Sequence, residues 1–295
     1  MVSVSKAQGA FLAVVPEREG DRMVWLLKRR LKSQDALTRM RAVRRLGEAK
    51  AARAIKPLMW ALHNDPEARV RVAAAAALAG LNDPRVLNVL SAALKAADPR
   101  TRAAAAAALG QTGNRDMVAV LAEALEDGDS QVRRAAGKAL DELKWTPADE
   151  REGMRHAAAM GRFEELAAQG PEGVGLLLEA VRDSEPQVRR RAASVLGDCN
   201  DPRAVRMLVQ MTTDGNVAAS AVEALGKFLK AGARETPEEA LRSVAHLVNV
   251  AQFAGERNGA NGNRLGRMLT QKRIIDCSDV KRLALQELGR RGVRV

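Results

Sequence analysis

Few side chains in this sequence are of types that perform chemistry, and their spacing does not gather them. The histidines His63, His156 and His246 are followed by Asn64, Ala157 and Leu247, and no His, Cys and carboxylate group has the spacing of a metal site. Cys199 and Cys277 are the only cysteines, too few for a disulfide framework and in no CxxC arrangement, as suits a reducing compartment. Cys277 stands just before an expected helix start at Ser278, where the helix field would lower a thiol pKa, yet no histidine lies near it in sequence. Both cysteines therefore read as structural. The Gly/Asn-rich stretch GERNGANGNR at 255–264 resembles a phosphate loop only superficially, because no strand precedes it and no Gly-Lys-Ser/Thr follows; it reads as a flexible linker. No catalytic residue, metal or cofactor is expected.

What does recur is arginine. Arg39, Arg71, Arg102, Arg133 and Arg189 hold one register in the gap-free segments TRMRAVRRLGE (38–48), VRVAAAAALAG (70–80), TRAAAAAALGQ (101–111), VRRAAGKALDE (132–142) and VRRRAASVLGD (188–198), which VAASAVEALGK (217–227) continues. A ladder of guanidinium groups could grip phosphate. Set beside loop aspartates, it is expected instead to bond carboxylates or carbonyls of the adjoining turn.

The elements that position these side chains follow from the same alignment. The shared leucines Leu46, Leu78, Leu109, Leu140, Leu196 and Leu225 are spaced 32, 31, 31, 56 and 29 residues apart, and the long gap has room for one degraded unit around Leu166. Each unit adds a second amphipathic segment, as in AIKPLMWAL (54–62) and RAVRMLVQM (203–211). Asp65-Pro66, Asp83-Pro84, Asp98-Pro99, Thr146-Pro147, Asp201-Pro202 and Thr236-Pro237 are expected to be an N-cap followed by proline in the first helical position. The expected fold is all-α, an α-solenoid (superhelix) of about six to seven stacked antiparallel helix pairs. Its parts are an N-terminal segment and capping helix at 1–32, a repeat array at 33–232 with the degenerate repeat at about 148–182, and a C-terminal helical cap at 233–295 that carries the loop at 255–264.

The pattern VRRRAASVLGDCNDPRAVRML resembles the HEAT-like repeat of the phycobilisome-lyase type, over roughly residues 33–232. The resemblance implies second helices lining a concave face where partners sit. It implies protein–protein contact for most members, and bilin attachment, metal-dependent hydroxylation or DNA-lesion recognition for a few. The hydroxylase branch uses recurring His-Glu pairs, which this sequence lacks.

Aligning the second helices on that premise selects outward positions: Lys56, Trp60, His63, Lys95, Glu123, Glu126, Glu179 and Arg206 are the candidate partner-binding residues. Lys56, Trp60 and His63 stand at i, i+4 and i+7, on the side of their helix away from Leu58 and Leu62. Trp60 is then either a solvent-facing hot spot or a residue packed beneath the N-terminal cap helix.

Charge marks the ends. Residues 1–56 hold 14 basic and 5 acidic side chains, 57–226 hold 20 and 24, and 227–295 hold 14 and 7. Lys28, Arg29, Arg30, Arg44, Arg45, Lys272 and Arg273 are the candidates for an anionic partner: nucleic acid, an acidic protein or a lipid surface. With three Trp, four Phe and no Tyr, stacking platforms for single-stranded nucleic acid or RNA are scarce. The expectation is a cytoplasmic, non-enzymatic scaffold, adaptor or accessory subunit without a transmembrane segment. The alternatives are a solenoid binding phosphate backbone and a subunit resembling a phycobilin lyase.

Overall fold

The computed structural model describes residues 19–293, apart from Asn82, Asn200, Thr213, Gly215 and the stretches 231–237, 239–240, 243–244 and 246–276. Among the described residues there are fifteen α-helices and no strand, an all-α fold of the α-solenoid class. None of these helices is long and apolar enough to cross a membrane. The chain divides into two compact units, Met1–Val120 and Leu121–Val295.

In the first unit α1 (Glu19–Arg30) packs on α2 (Ala36–Glu48), burying Val24, Leu27 and Leu31 and leaving Lys28, Arg29, Arg30 and Lys32 in solvent. Helices α2, α4 (Ala68–Ala79) and α6 (Pro99–Gln111) lie side by side as a first-helix layer. The second helices α3 (Ile55–Asn64) and α5 (Pro84–Ala93) pack against them. The short α7 (Val118–Glu123) runs across the division between the units. The second unit continues through α8 (Ser130–Glu142), α9 (Glu150–Met160), α10 (Phe163–Ala168), α11 (Gly170–Ala180), α12 (Pro186–Leu196), α13 (Pro202–Met211) and α14 (Ala218–Lys230). A last helix, α15 (Cys277–Arg290), packs on α14 through Ala284 and Leu288. The linker at 255–264 lies outside the described residues.

The aligned leucines form the core: Leu46, Leu78, Leu109, Leu140 and Leu196 are fully buried, and so is Leu166 of the degraded unit. The glycine that follows the leucine has an equally specific task. A Cβ on Gly47 would stand 2.9 Å from Ala77 Cβ, and one on Gly197 would stand 2.6 Å from Ala224 Cα, closer than side chains tolerate. Neighbouring first helices touch backbone to backbone there, glycine against the alanine of the next repeat.

The arginine ladder is structural. Arg39 donates from Nε and Nη2 to both Asp65 oxygens at 2.7 and 2.9 Å, and from Nη1 to the Ser33 and Gln34 carbonyls. One repeat later Arg71 donates to Asp98 at 2.9 Å, to the Thr101 hydroxyl at 2.8 Å and to the Asp65 and Pro66 carbonyls. Arg102 donates to the Ala96 and Ala97 carbonyls. In the second unit Arg189 donates to Asp214 at 2.7 Å and to the Asp183 and Ser184 carbonyls. Arg133 reaches Asp183 and the Asp127 carbonyl. Its carboxylate lies 50 residues on, where the other pairs span 25 to 27, so this rung steps over the degraded unit.

The proline rule needs correction. Asp83, Asp98 and Asp201 are N-caps with proline next, each accepting a backbone N–H of its helix. Asp65-Pro66 is not: α4 begins at Ala68 with Glu67 as its cap residue, because Asp65 is already held by Arg39 and by the Glu67 N–H. Thr146-Pro147 is not either, since Asp149 caps α9. Thr236-Pro237 lies outside the described residues.

These carboxylates set an acid limit on the fold. The Thr38 hydroxyl holds Asp35 below the usual range, Arg85 brings Asp83 to about 2, and Arg203 lowers Asp201. Burial pushes Asp98 up, but its bonds to Arg71 and Thr101 outweigh that, and the Asn216 N–H with Arg189 lowers Asp214. Each group binds its proton more weakly folded than unfolded, so its stabilisation is complete above the ordinary value of 3.8 and is lost as pH falls through the folded one. The thermal midpoint is therefore expected to be flat from about pH 8 to 5 and to fall below about pH 4. A midpoint that rises on acidification would contradict this assignment.

Candidate functional site

In α3, Ile55, Leu58, Ala61 and Leu62 are buried, which turns Lys56, Trp60 and His63 outward. Trp60 is 48% exposed. Lys95, just after α5, is exposed as well. Lys56, Trp60 and His63 thus sit on α3 and Lys95 in the turn after α5, all with their side chains in solvent.

Those of the second unit, Glu123, Glu126, Glu179 and Arg206, are also exposed. Here the degraded repeat creates a feature that the alignment does not show. Gly161, left-handed at φ 70°, ends α9, and Gly170, also at φ 70°, opens α11 directly after Gln169, the C-cap residue of α10. Helix α11 starts so tightly that a Cβ on Gly173 would collide with the Leu166 carbonyl. The first helix of this repeat is consequently six residues long, against 11 to 13 for α8, α12 and α14. A cavity of about 770 Å³ opens between α9 and α11.

Glu126 and Glu179 both line this cavity, together with Arg133, Arg151, Arg155 and Arg182. Arg155 pairs with Glu126, and Arg133 with Asp183. A recess of about 340 Å³ brings Glu179 together with Arg182 and Arg206. Glu123 lines neither. The cavity is charged in both senses. Arg151 and Arg155 stand on α9, which has no counterpart among the aligned second helices; the shortened spacing around Leu166 is the one sign of it in the sequence.

His156 is a satisfied core histidine. Arg162 donates to its Nδ1 at 2.7 Å, so the ring proton sits on Nε2, 3.2 Å from the Gly137 carbonyl oxygen and 3.0 Å from Asp141. Burial and the nearby Asp198 and Asp201 raise the Cys199 thiol pKa, which leaves it a poor nucleophile. Among the described residues no group of three His, Cys, Asp or Glu side chains could hold a metal ion.

Of the basic candidates, Lys28, Arg29, Arg30, Arg44 and Arg45 are exposed in the first unit, and Arg29 lies over the Trp25 ring at 5.2 Å. Lys272 and Arg273 lie outside the described residues.

The HEAT repeats family matches residues 23–98, 87–158, 143–226 and 174–260. A search of curated proteins gives no match. Similar solved structures include human deoxyhypusine hydroxylase in complex with glycerol, at 18% identity over 92% of this chain and 97% of that one, with a TM-score of 0.41. The complex of CpcE and CpcF of phycocyanin lyase from Nostoc sp. PCC7120 is 20% identical over 84% and 99%, with a TM-score of 0.36. The karyopherin Kap121p bound to the extreme C-terminus of the protein phosphatase Cdc14p is 14% identical over 91% of this chain and 29% of that one, with a TM-score of 0.40.

Proposed function

The chain belongs to the HEAT-repeat family, and on that premise we propose that it is a non-enzymatic protein–protein interaction scaffold or accessory subunit, holding its partner on the outward faces of the second helices. The observation that carries this reading is Trp60, a large amphipathic side chain left 48% exposed on a well-packed helix between exposed Lys56 and His63. Aromatic anchors of this kind supply most of the affinity in many interfaces, and a preformed helix loses little entropy on binding. Co-purification of the tagged chain from its native cell tests it. Trp60→Ala is expected to cut the recovered partner by about tenfold or more without moving the thermal midpoint. Undiminished recovery of every bound protein would count against this face.

A second reading, a solenoid that holds phosphate backbone, is supported by the exposed Lys28, Arg30, Arg44 and Arg45 of α1 and α2, which make no ion pair among the described residues. It requires duplex DNA affinity that falls linearly with salt on logarithmic axes. No binding at low salt removes it.

A further inference from the structure

Two helices of the first unit lack a polar face. From Val72 to Ala79 helix α4 holds only valine, alanine and leucine, and from Ala103 to Leu109 helix α6 holds only alanine and leucine. A helix that is apolar all round is ordinarily covered all round. On α4 it is not: Ala74, Ala75 and Leu78 are buried, but Val72 is 40% exposed and Ala76 faces solvent.

This bare side of α4 forms one wall of a groove of about 490 Å³ whose other wall is α2. Val72, Ala73 and Ala76 supply the apolar surface. Arg44, Lys50 and Arg69 stand at the edge, all exposed and without an ion pair or side-chain hydrogen bond among the described residues. Glu48 is the one acid beside them.

We propose that the α2–α4 groove docks an amphipathic helix of a partner protein, with its apolar stripe on Val72, Ala73 and Ala76 and acidic side chains along its flanks facing Arg44, Lys50 and Arg69. Alanine and glycine walls let a helix approach to the ~8 Å axial distance of tightly packed pairs. Apolar anchors along such a helix recur every three or four residues, the spacing that a groove between parallel first helices offers. The three cations select the flanks, because an acidic helix neutralises them and a basic one is repelled. A second copy of this chain laid face to face would set the cations against their own kind. The groove lies in the first-helix layer and Trp60 in the second, so this docking goes beyond the function proposed above and stands without it.

The test uses the full chain and a fluorescein-labelled peptide about five helical turns long, with leucine at i, i+3, i+4 and i+7 and glutamate on both flanks. A companion peptide carries lysine in place of every glutamate. Anisotropy is expected to show saturable binding of the glutamate peptide, and binding of the lysine peptide at least about tenfold weaker. Val72→Glu is expected to weaken the glutamate peptide by at least about tenfold with the circular dichroism spectrum unchanged, since the side chain is already exposed. Should Val72→Glu disturb folding, the surface pair Arg44→Glu/Arg69→Glu gives an independent readout, a reversal of preference toward the lysine peptide. Trp60→Ala is expected to change neither. Equal affinity for both peptides, no saturable binding, or a wild-type dimer that Val72→Glu dissociates in sedimentation would each overturn the proposal.

Discussion

Asp65→Ala is expected to lower the unfolding free energy by about 3–5 kcal/mol, more than the loss at the wetter rungs of Asp98 and Asp214. The Asp65 side chain is 0% exposed and that of Arg39 is 8% exposed, so removing the carboxylate strands a guanidinium that water reaches poorly. Arg39 would keep its bonds to the Ser33 and Gln34 carbonyls and lose both bonds from Nε and Nη2, while the Glu67 N–H would lose its acceptor. Two other rungs are wetter: side-chain exposure is 16% and 34% for Arg71 and Asp98, and 15% and 33% for Arg189 and Asp214, whereas Asp183 beside Arg133 is 1% exposed. Asp98→Ala and Asp214→Ala are expected to cost about 1–2 kcal/mol each, as partly solvated charge-assisted bonds do. Arg39→Met with Asp65→Leu is expected to recover much of the Asp65→Ala loss, because the cost lies in the unpaired charge. Urea unfolding followed by the fluorescence of Trp25 and Trp60, both in the first unit, reads the Asp65 and Asp98 variants in a Trp145→Phe background, and Trp145 of the second unit reads Asp214→Ala. Equal losses at Asp65 and Asp98 would show that burial does not grade the ladder.

Gly197→Val is the second large effect. The added atoms would meet Ala224 at 2.6 Å from Cα and 2.9 Å from both Cβ and the carbonyl oxygen, none of which can swing aside as a flexible side chain does. Separating α12 from α14 is expected to cost about 2–4 kcal/mol, and Gly197→Ala about 1–3 kcal/mol. Gly47→Ala should cost less than Gly197→Ala, because its nearest backbone atom, Ala77 Cα, stands at 3.2 Å. Gly128→Ala meets nothing within 4 Å and serves as the control. Thermal unfolding of the three alanine variants ranks them, and a Gly197→Ala midpoint as high as that of Gly128→Ala would remove close helix contact as the reason for the Leu-Gly pair.

The repeat was legible because its signals are enforced by packing. Each leucine must fill the space between two layers, the glycine after Leu46 and Leu196 must admit the neighbouring helix, and each arginine must satisfy the carbonyls of a turn. Those demands recur every thirty-odd residues and leave matching letters. Asp65-Pro66 shows where letters mislead: the pair reads as a cap, but its aspartate is claimed by an arginine 26 residues away, and a sequence read locally does not weigh that competition. The exposure of Trp60 was open to two readings because helix periodicity fixes the side of α3 it occupies but not what covers that side. The cavity between α9 and α11 follows from three glycines and a six-residue helix, whose joint effect is geometric and appears only when the chain is folded. Outward residues carry the least signal of all, since nothing inside the fold constrains them.

Photo-crosslinking in the native cell tests most directly whether the second-helix face of the first unit holds a protein. A benzophenone amino acid placed at Lys56 or His63, on either side of Trp60, is predicted to trap a protein of discrete mass, with the adduct destroyed by protease, untouched by nuclease and lost when Trp60→Ala is added. A nuclease-sensitive adduct, or a protein adduct of the same yield with Trp60→Ala, would contradict the account.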